Sequence, residues 1–328
     1  MQMKSRLLWL SVILAGAAFA QPPASVWNTY HDPSAMSREL ARLAQNYPRL
    51  ARLQSLGKST QERDIWLLTI ASTGARNKPA VLFDGAMHGS EVIGAESLLA
   101  YARYLLQHYE SDAQVRRLVD SSITYLIPMV NPDGVEAGKS ARSWKAARKN
   151  AHGVNLNRNF DWNWDEAGAE DPAKEDYRGP SPFSEPESRI VRDFLQSHPI
   201  MIYLNCHAGE NREPHVVTPL HSKDGALFDS IASDVEQRAQ FTRARGALAG
   251  GAFNWAYWAG MARLRGPGRR PLALALEIYS DAEVNPPSRN WWSRYNPPQN
   301  QLDGYLERVR TVLMDLTGRG AGLLDSRR

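Results

Sequence analysis

The sequence predicts an α/β fold: a mixed, mostly parallel central sheet with helices on both faces, forming one domain. Strand-length apolar runs alternate with stretches of helical periodicity along most of the chain. Several of these runs end in residues able to carry chemistry, at the sheet edge where open α/β folds keep their ligands. No repeat or linker divides the 328 residues, and 43% hydrophobic content suffices for a full core.

Residues 1–20 read as a secretory leader: Lys4 and Arg6, the apolar run Leu7 to Leu14, then Ala18-Phe19-Ala20 as a cleavage signature before Gln21. The apolar run is shorter than the roughly 20 residues a spanning helix needs. The mature chain is therefore expected in the periplasm or outside the cell, with no stable membrane insertion. The main domain is placed at 21–318 and a basic tail at 319–328. Pro33 to Tyr47 has Met36, Leu40, Leu43 and Ala44 on one helical face, and Pro48 closes it. Leu53 to Ser59 and Asp64 to Ser72, around Thr60-Gln61-Glu62-Arg63, read as a hairpin at a sheet edge. Ala80 to Phe83 reads as a buried strand, followed by a helix from about Glu91 to Tyr109. Strand Ile123 to Val130 delivers Asn131-Pro132-Asp133-Gly134, a turn signal, to the same sheet end. From there to Phe183 the chain is polar and aromatic, a length usually kept for function, and Trp144, Trp162 and Trp164 argue against disorder. Ser184-Glu185-Pro186-Glu187 has capping-box spacing and opens a helix towards His198. Strand Ile200 to Cys206, the apolar run Leu272 to Ile278 and a helix near Asn300 to Leu316 complete the order.

Of the net charge of +4, Lys4 and Arg6 supply two, so the mature chain has no general attraction for nucleic acid. Arg263, Arg265, Arg269 and Arg270 cluster in a Gly/Pro-broken loop expected to be solvated. Cys206 is the sole cysteine, so no internal disulfide forms, which fits a bacterial periplasm or extracellular space. A monomer is expected.

His88 and Glu91, three apart after a strand, offer an imidazole nitrogen and a carboxylate oxygen to a metal. His207 ends a second strand, and two His with one Glu leave a fourth zinc position open, as in catalytic sites. Cys206 should face away from His207, because neighbouring strand residues point to opposite faces. Glu277 is a carboxylate inside an apolar strand; such a group is paired, protonated or facing a metal, and a general base beside a zinc-activated water is the sharper reading.

With Gly153-Val154-Asn155-Leu156-Asn157-Arg158-Asn159-Phe160 added, the ordered set His88-Gly89-Ser90-Glu91, Asn131-Pro132-Asp133-Gly134, His207 and Glu277 resembles the zinc carboxypeptidases of the carboxypeptidase A superfamily, over roughly Pro33 to Leu316. The resemblance implies one Zn²⁺ per chain on His88, Glu91 and His207, water activation by Glu277, and capture of the substrate's terminal carboxylate by Asn157 and Arg158. A guanidinium fork suits that last role. Three positions depart from the digestive members. Trp144-Lys145 stands where they carry Trp-Arg, leaving Lys145 and Arg148 both open as the cation that polarises the scissile carbonyl. Ser90 replaces an arginine that touches extended substrates. The tyrosine that closes over substrate would fall near Gly246 and is absent, with Tyr257 or Tyr279 as substitutes. Alignment on Gly250-Gly251 and Asn254-Trp255 puts Phe253 at the base of the side-chain pocket, unless it is ordinary core.

These departures look closer to the bacterial branch, which includes enzymes cutting the γ-D-glutamyl bond to diaminopimelate in peptidoglycan stem peptides. The expected substrate is thus a peptide, cut at its C-terminal bond, or a muropeptide. The latter needs a second ionic contact, for which Arg263, Arg265, Lys145 and Glu283 are candidates by composition. An N-acyl amino-acid deacylase of the succinylglutamate or aspartoacylase type shares the His-Gly-x-Glu start, but the leader argues against it. A binding module with a relic zinc site would have no reason to keep Glu277 buried.

Overall fold

A computed structural model of the chain describes residues 22, 24–74, 78–209, 213–260, 270–280 and 291–326. The leader, Arg263, Arg265, Arg269 and Glu283 lie outside them. Eight strands form one sheet: β1 (Ala51–Lys58), β2 (Asp64–Ile70), β3 (Ala80–Asp84), β4 (Ile123–Ile127), β5 (Ile200–His207), β6 (His215–Pro219), β7 (Thr242–Gly246) and β8 (Leu272–Glu277). Their spatial order is β1-β2-β4-β3-β5-β8-β6-β7. The central run β4-β3-β5-β8 is parallel, as is β6 with β7, while β1-β2, β2-β4 and β6-β8 pair antiparallel.

The parallel centre is apolar along its length because helices cover both faces. Helices Val92–His108 and Gln299–Ser326 pack on the face that carries Phe83 and Cys206, where Phe83 meets Tyr101 and Gly94 lies against Cys206. The helix Pro186–Ser197 covers the opposite face, with Phe194 edge-on to Tyr125. Among the described residues no helix is long and apolar enough to cross a membrane.

Three local readings change, and some elements are new. Asn131-Pro132-Asp133-Gly134 opens a helix, Pro132–Gly138, because Asn131 Oδ1 accepts from Gly134 N at 2.8 Å and Pro132 occupies the first turn. The capping box at Ser184 does not form: Ser184 Oγ donates to Glu185 Oε1, and Glu187 accepts from Thr60 N and Asn150 Nδ2 instead. The closing helix runs past Leu316 to Ser326, since Leu323 is buried and Arg319 pairs with Asp315 and Asp234. The helix thus continues through residues 319–326 of the segment that reads as a basic tail. Finally, the helices Ala113–Ser121 and Gly225–Ala239 and strands β6 and β7 add elements the periodicity did not announce.

Candidate active site

The carboxyl ends of β3, β5 and β8, adjacent and parallel, deliver the chemistry to one edge. After β3 the chain turns through Ala86, a non-glycine residue at φ +46°, a strained conformation of the kind found at functional sites. His88 and Glu91 follow. Gly89 is required there by contact: a Cβ would lie 2.2 Å from the carbonyl carbon of Gly134. The turn is braced by the next motif, since Asn131 N donates to Ala86 O and Asn131 Nδ2 to Met87 O. His207 ends β5, and Glu277 stands beside it in register on β8.

His88, Glu91 and His207 are buried, with one donor atom from each within 4.8 Å of the others. Glu91 Oε1 is 2.8 Å from His88 Nδ1, and Oε2 is 2.8 Å from His207 Nδ1. Each imidazole is oriented from behind. Asn155 Oδ1 also accepts from Asn157 N, so it faces His88 Nε2 as an acceptor at 3.0 Å. Asn205 gives its Nδ2 to Asp84, leaving Oδ1 for His207 Nε2. Asn157 Nδ2 also approaches His207 Nε2, at 3.1 Å, and both Nδ1 atoms face the Glu91 carboxylate. Burial, then the Arg148 charge, hold His88 down at about 3, so it does not supply a proton there. Burial pushes Glu91 up, but His88 and His207 more than offset this and keep it ionised. Three electron-pair donors facing one another fit a divalent cation, and two nitrogens with one oxygen suit zinc with a position open to the cleft.

A family model described as zinc carboxypeptidase matches residues 36–270. The chain belongs to the zinc carboxypeptidase family. Carboxypeptidase D of Drosophila melanogaster is 35% identical over 184 residues, 55% of this chain but 12% of that protein. The chain thus matches a small part of that relative's length. By structure it is similar to thrombin-activatable fibrinolysis inhibitor (TM-score 0.76, 20% identity, 94% of this chain and 78% of that one). It is also similar to a metallo-carboxypeptidase from Burkholderia cenocepacia (TM-score 0.60, 19% identity, 86% and 68%). At these identities the likeness is one of fold, and it bears out the carboxypeptidase-like α/β/α architecture.

Within this carboxypeptidase fold the metal cluster opens into a cleft of about 370 Å³, lined by His88, Glu91, His207, Glu277, Asn157 and Arg158 together with Trp144, Arg148, Leu248, Arg294 and Tyr295. The two open cations separate. Arg148 Nη1 donates to Glu91 Oε1 at 2.9 Å, and its side chain is 18% exposed. Lys145 is 60% exposed, 3.4 Å from Glu175, and is not among the lining residues. In the helix Trp144–Arg148, Arg148 lies four residues on from Trp144 and both line the cleft, while Lys145 reaches out to Glu175 at the rim. Arg158 Nη1 donates to Asn157 O, and Asn157 Oδ1 accepts from Ala252 N, so the Asn-Arg pair is fixed against the 250–255 segment.

Phe253 is not in the cleft. It is buried in the core in the short helix Ala252–Trp255, and Leu248 lines the cleft instead. Ser90 is fully buried and out of reach of substrate. Tyr257 is held at Ser222 and Asp224, and Tyr279 is buried against Tyr305. The phenol that lines the cleft is Tyr295, which the sequence reading missed along with Arg294. Tyr295 packs on Trp144 with ring centroids 5.8 Å apart, and Gly209 admits it: at φ +94° a Cβ there would lie 2.1 Å from the ring. The aromatic dipeptide Trp291-Trp292 just before it was the available signal. Cys206 is buried beneath the site, and burial pushes its thiol well up, leaving it inert.

Proposed function

We propose that this chain is an exported, zinc-dependent carboxypeptidase that hydrolyses the C-terminal peptide bond of its substrate. The observation that carries the reading is Glu277 in register beside His207 at the edge of one cleft that also holds Arg148 and Arg158. His88, Glu91 and His207 would hold one zinc ion per chain, which when bound polarises a carbonyl and acidifies a water molecule. Arg158, fixed through Asn157, takes the terminal carboxylate with two parallel hydrogen bonds and so sets which peptide bond reaches Glu277. Glu277 accepts the proton of the attacking water and returns it to the leaving amine. Arg148 stands ready to hold the oxygen on which negative charge develops; its hydrogen bond to Glu91 fixes the guanidinium in advance.

A second reading, cleavage of peptidoglycan stem peptides, gains from Arg294. This third guanidinium lines the cleft beside Trp144 and Tyr295, where a second substrate carboxylate such as that of diaminopimelate would pair. Export rests on the leader pattern at residues 1–20, and the mature protein is proposed to act as a monomer on peptides or muropeptides. The test is hydrolysis of peptides ending in Phe, Leu, Lys and Glu, each with free and amidated C-termini, beside muropeptides. Free ends should be cut and amidated ends left intact; equal turnover of both would sink the exopeptidase reading. A preference for muropeptides over all four peptides would select the second.

A further inference from the structure

We infer that Asn296 is a positioning residue for the metal site: it caps, from more than 200 residues away, the helix that begins at Glu91. This rests on the proposal that His88, Glu91 and His207 hold zinc. A helix leaves its first backbone N–H groups without partners, and the N-cap side chain normally satisfies one of them. The helix Val92–His108 has Glu91 at its N-cap, and Glu91 makes no capping hydrogen bond. It cannot do so while its two oxygens are directed at His88 and His207. The neighbouring Ser90 does not substitute, because its buried hydroxyl has no partner among the described residues.

Asn296 supplies what the turn lacks. Its Oδ1 accepts from Ile93 N at 2.9 Å, the position an N-cap oxygen serves, and its Nδ2 donates to Ser90 O at 2.8 Å. One buried amide therefore holds the backbone on both sides of Glu91, and the carboxylate is released for the metal. Asn296 is itself fixed. Its N donates to Trp292 O, and Trp292 packs edge-on against Trp27 and Tyr30. Tyr30 Oη donates to Pro297 O at 2.6 Å, and His31 reaches Glu96 in the same capped helix at 2.9 Å. The segment at 27–31 thus braces the metal-ligand turn through Asn296.

The test is zinc affinity by chelator competition for wild type, Asn296→Ala, Asn296→Asp and Tyr101→Phe. Losing an outer partner of a ligand costs about 10–100-fold in metal affinity, and that loss is expected for Asn296→Ala. Added zinc should restore its turnover with KM unchanged. Asn296→Asp keeps the acceptor for Ile93 but sets an oxygen against Ser90 O; it should show a loss too, and it decides the matter if the alanine variant does not fold. Tyr101→Phe, on the capped helix but away from the turn, removes a hydrogen bond to Thr317 of the closing helix, and should leave zinc affinity as in the wild type. Wild-type affinity in the Asn296 variants, or an equal loss in Tyr101→Phe, overturns the inference. Absence of zinc binding by the wild type would instead overturn the metal site itself.

Discussion

Replacing Arg148 tests which cation serves the developing oxyanion. Its guanidinium is 18% exposed and held by Glu91 at 2.9 Å, so it points into the cleft before substrate arrives. Removing one preorganised oxyanion donor costs about 10²–10³ in kcat, roughly 2.7–4 kcal/mol. Lys145 is 60% exposed and pairs at the rim with Glu175, an arrangement worth at most about 1 kcal/mol. Arg148→Ala should therefore lose kcat by about 10²–10³ with KM little changed, because the interaction is made only as charge develops. Lys145→Ala should lose less than about fivefold. The assay is steady-state hydrolysis of a peptide with a free C-terminus, run after zinc content has been matched, since Arg148 also touches a metal ligand. A larger kcat loss in Lys145→Ala than in Arg148→Ala would refute the reasoning.

Arg158→Ala should raise KM strongly and cost about 1–3 kcal/mol or more in kcat/KM, since the substrate carboxylate would be left half-paired; an unchanged KM would remove Arg158 from the clamp. Gly209→Ala should destabilise by about 1–3 kcal/mol through its positive φ and displace Tyr295; an unchanged melting temperature and unchanged peptide turnover would show that the close approach is not needed. Burial pushes Asp32 up, but hydrogen bonds from Lys139, Ala35 N and Ser34 hold it at about 2, below its ordinary 3.8. A lowered carboxyl stabilises the fold above its unfolded pKa and loses that contribution as pH falls from about 4 towards 2. Asp32→Ala should accordingly cost about 1 kcal/mol at neutral pH and flatten that acid limb in urea titrations; identical losses at pH 7 and pH 2 would contradict the assignment.

The residues that meet at the candidate site were legible where strand ends carry them. His88, His207 and Glu277 each close an apolar run, and an apolar run with a terminal donor is a local pattern. The orientation of Cys206 followed from strand alternation alone. What stayed hidden depends on tertiary contact. Phe253 and Tyr295 are both aromatics in very short helices, and nothing local says that the first is core while the second lines the cleft; Gly209 leaves room there for the Tyr295 ring. Lys145 and Arg148 are told apart only by their tertiary partners, Glu175 at the rim for the first and Glu91 in the site for the second. The motif at Asn131 reads only as a turn signal because its role, bracing residues 86 and 87, is a contact across more than 40 positions. The strands β6 and β7 escaped because they are short and β7 carries arginines at alternate positions.

The central claim is that one zinc ion on His88, Glu91 and His207 works with Glu277 as the base. The most direct measurement is zinc content and peptide hydrolysis of wild type and Glu277→Gln, side by side. Both proteins should hold close to one zinc per chain, while the variant's turnover on free C-terminal peptides falls by about 10²–10⁴. A wild-type protein without zinc, or a Glu277→Gln variant with full activity, would contradict it.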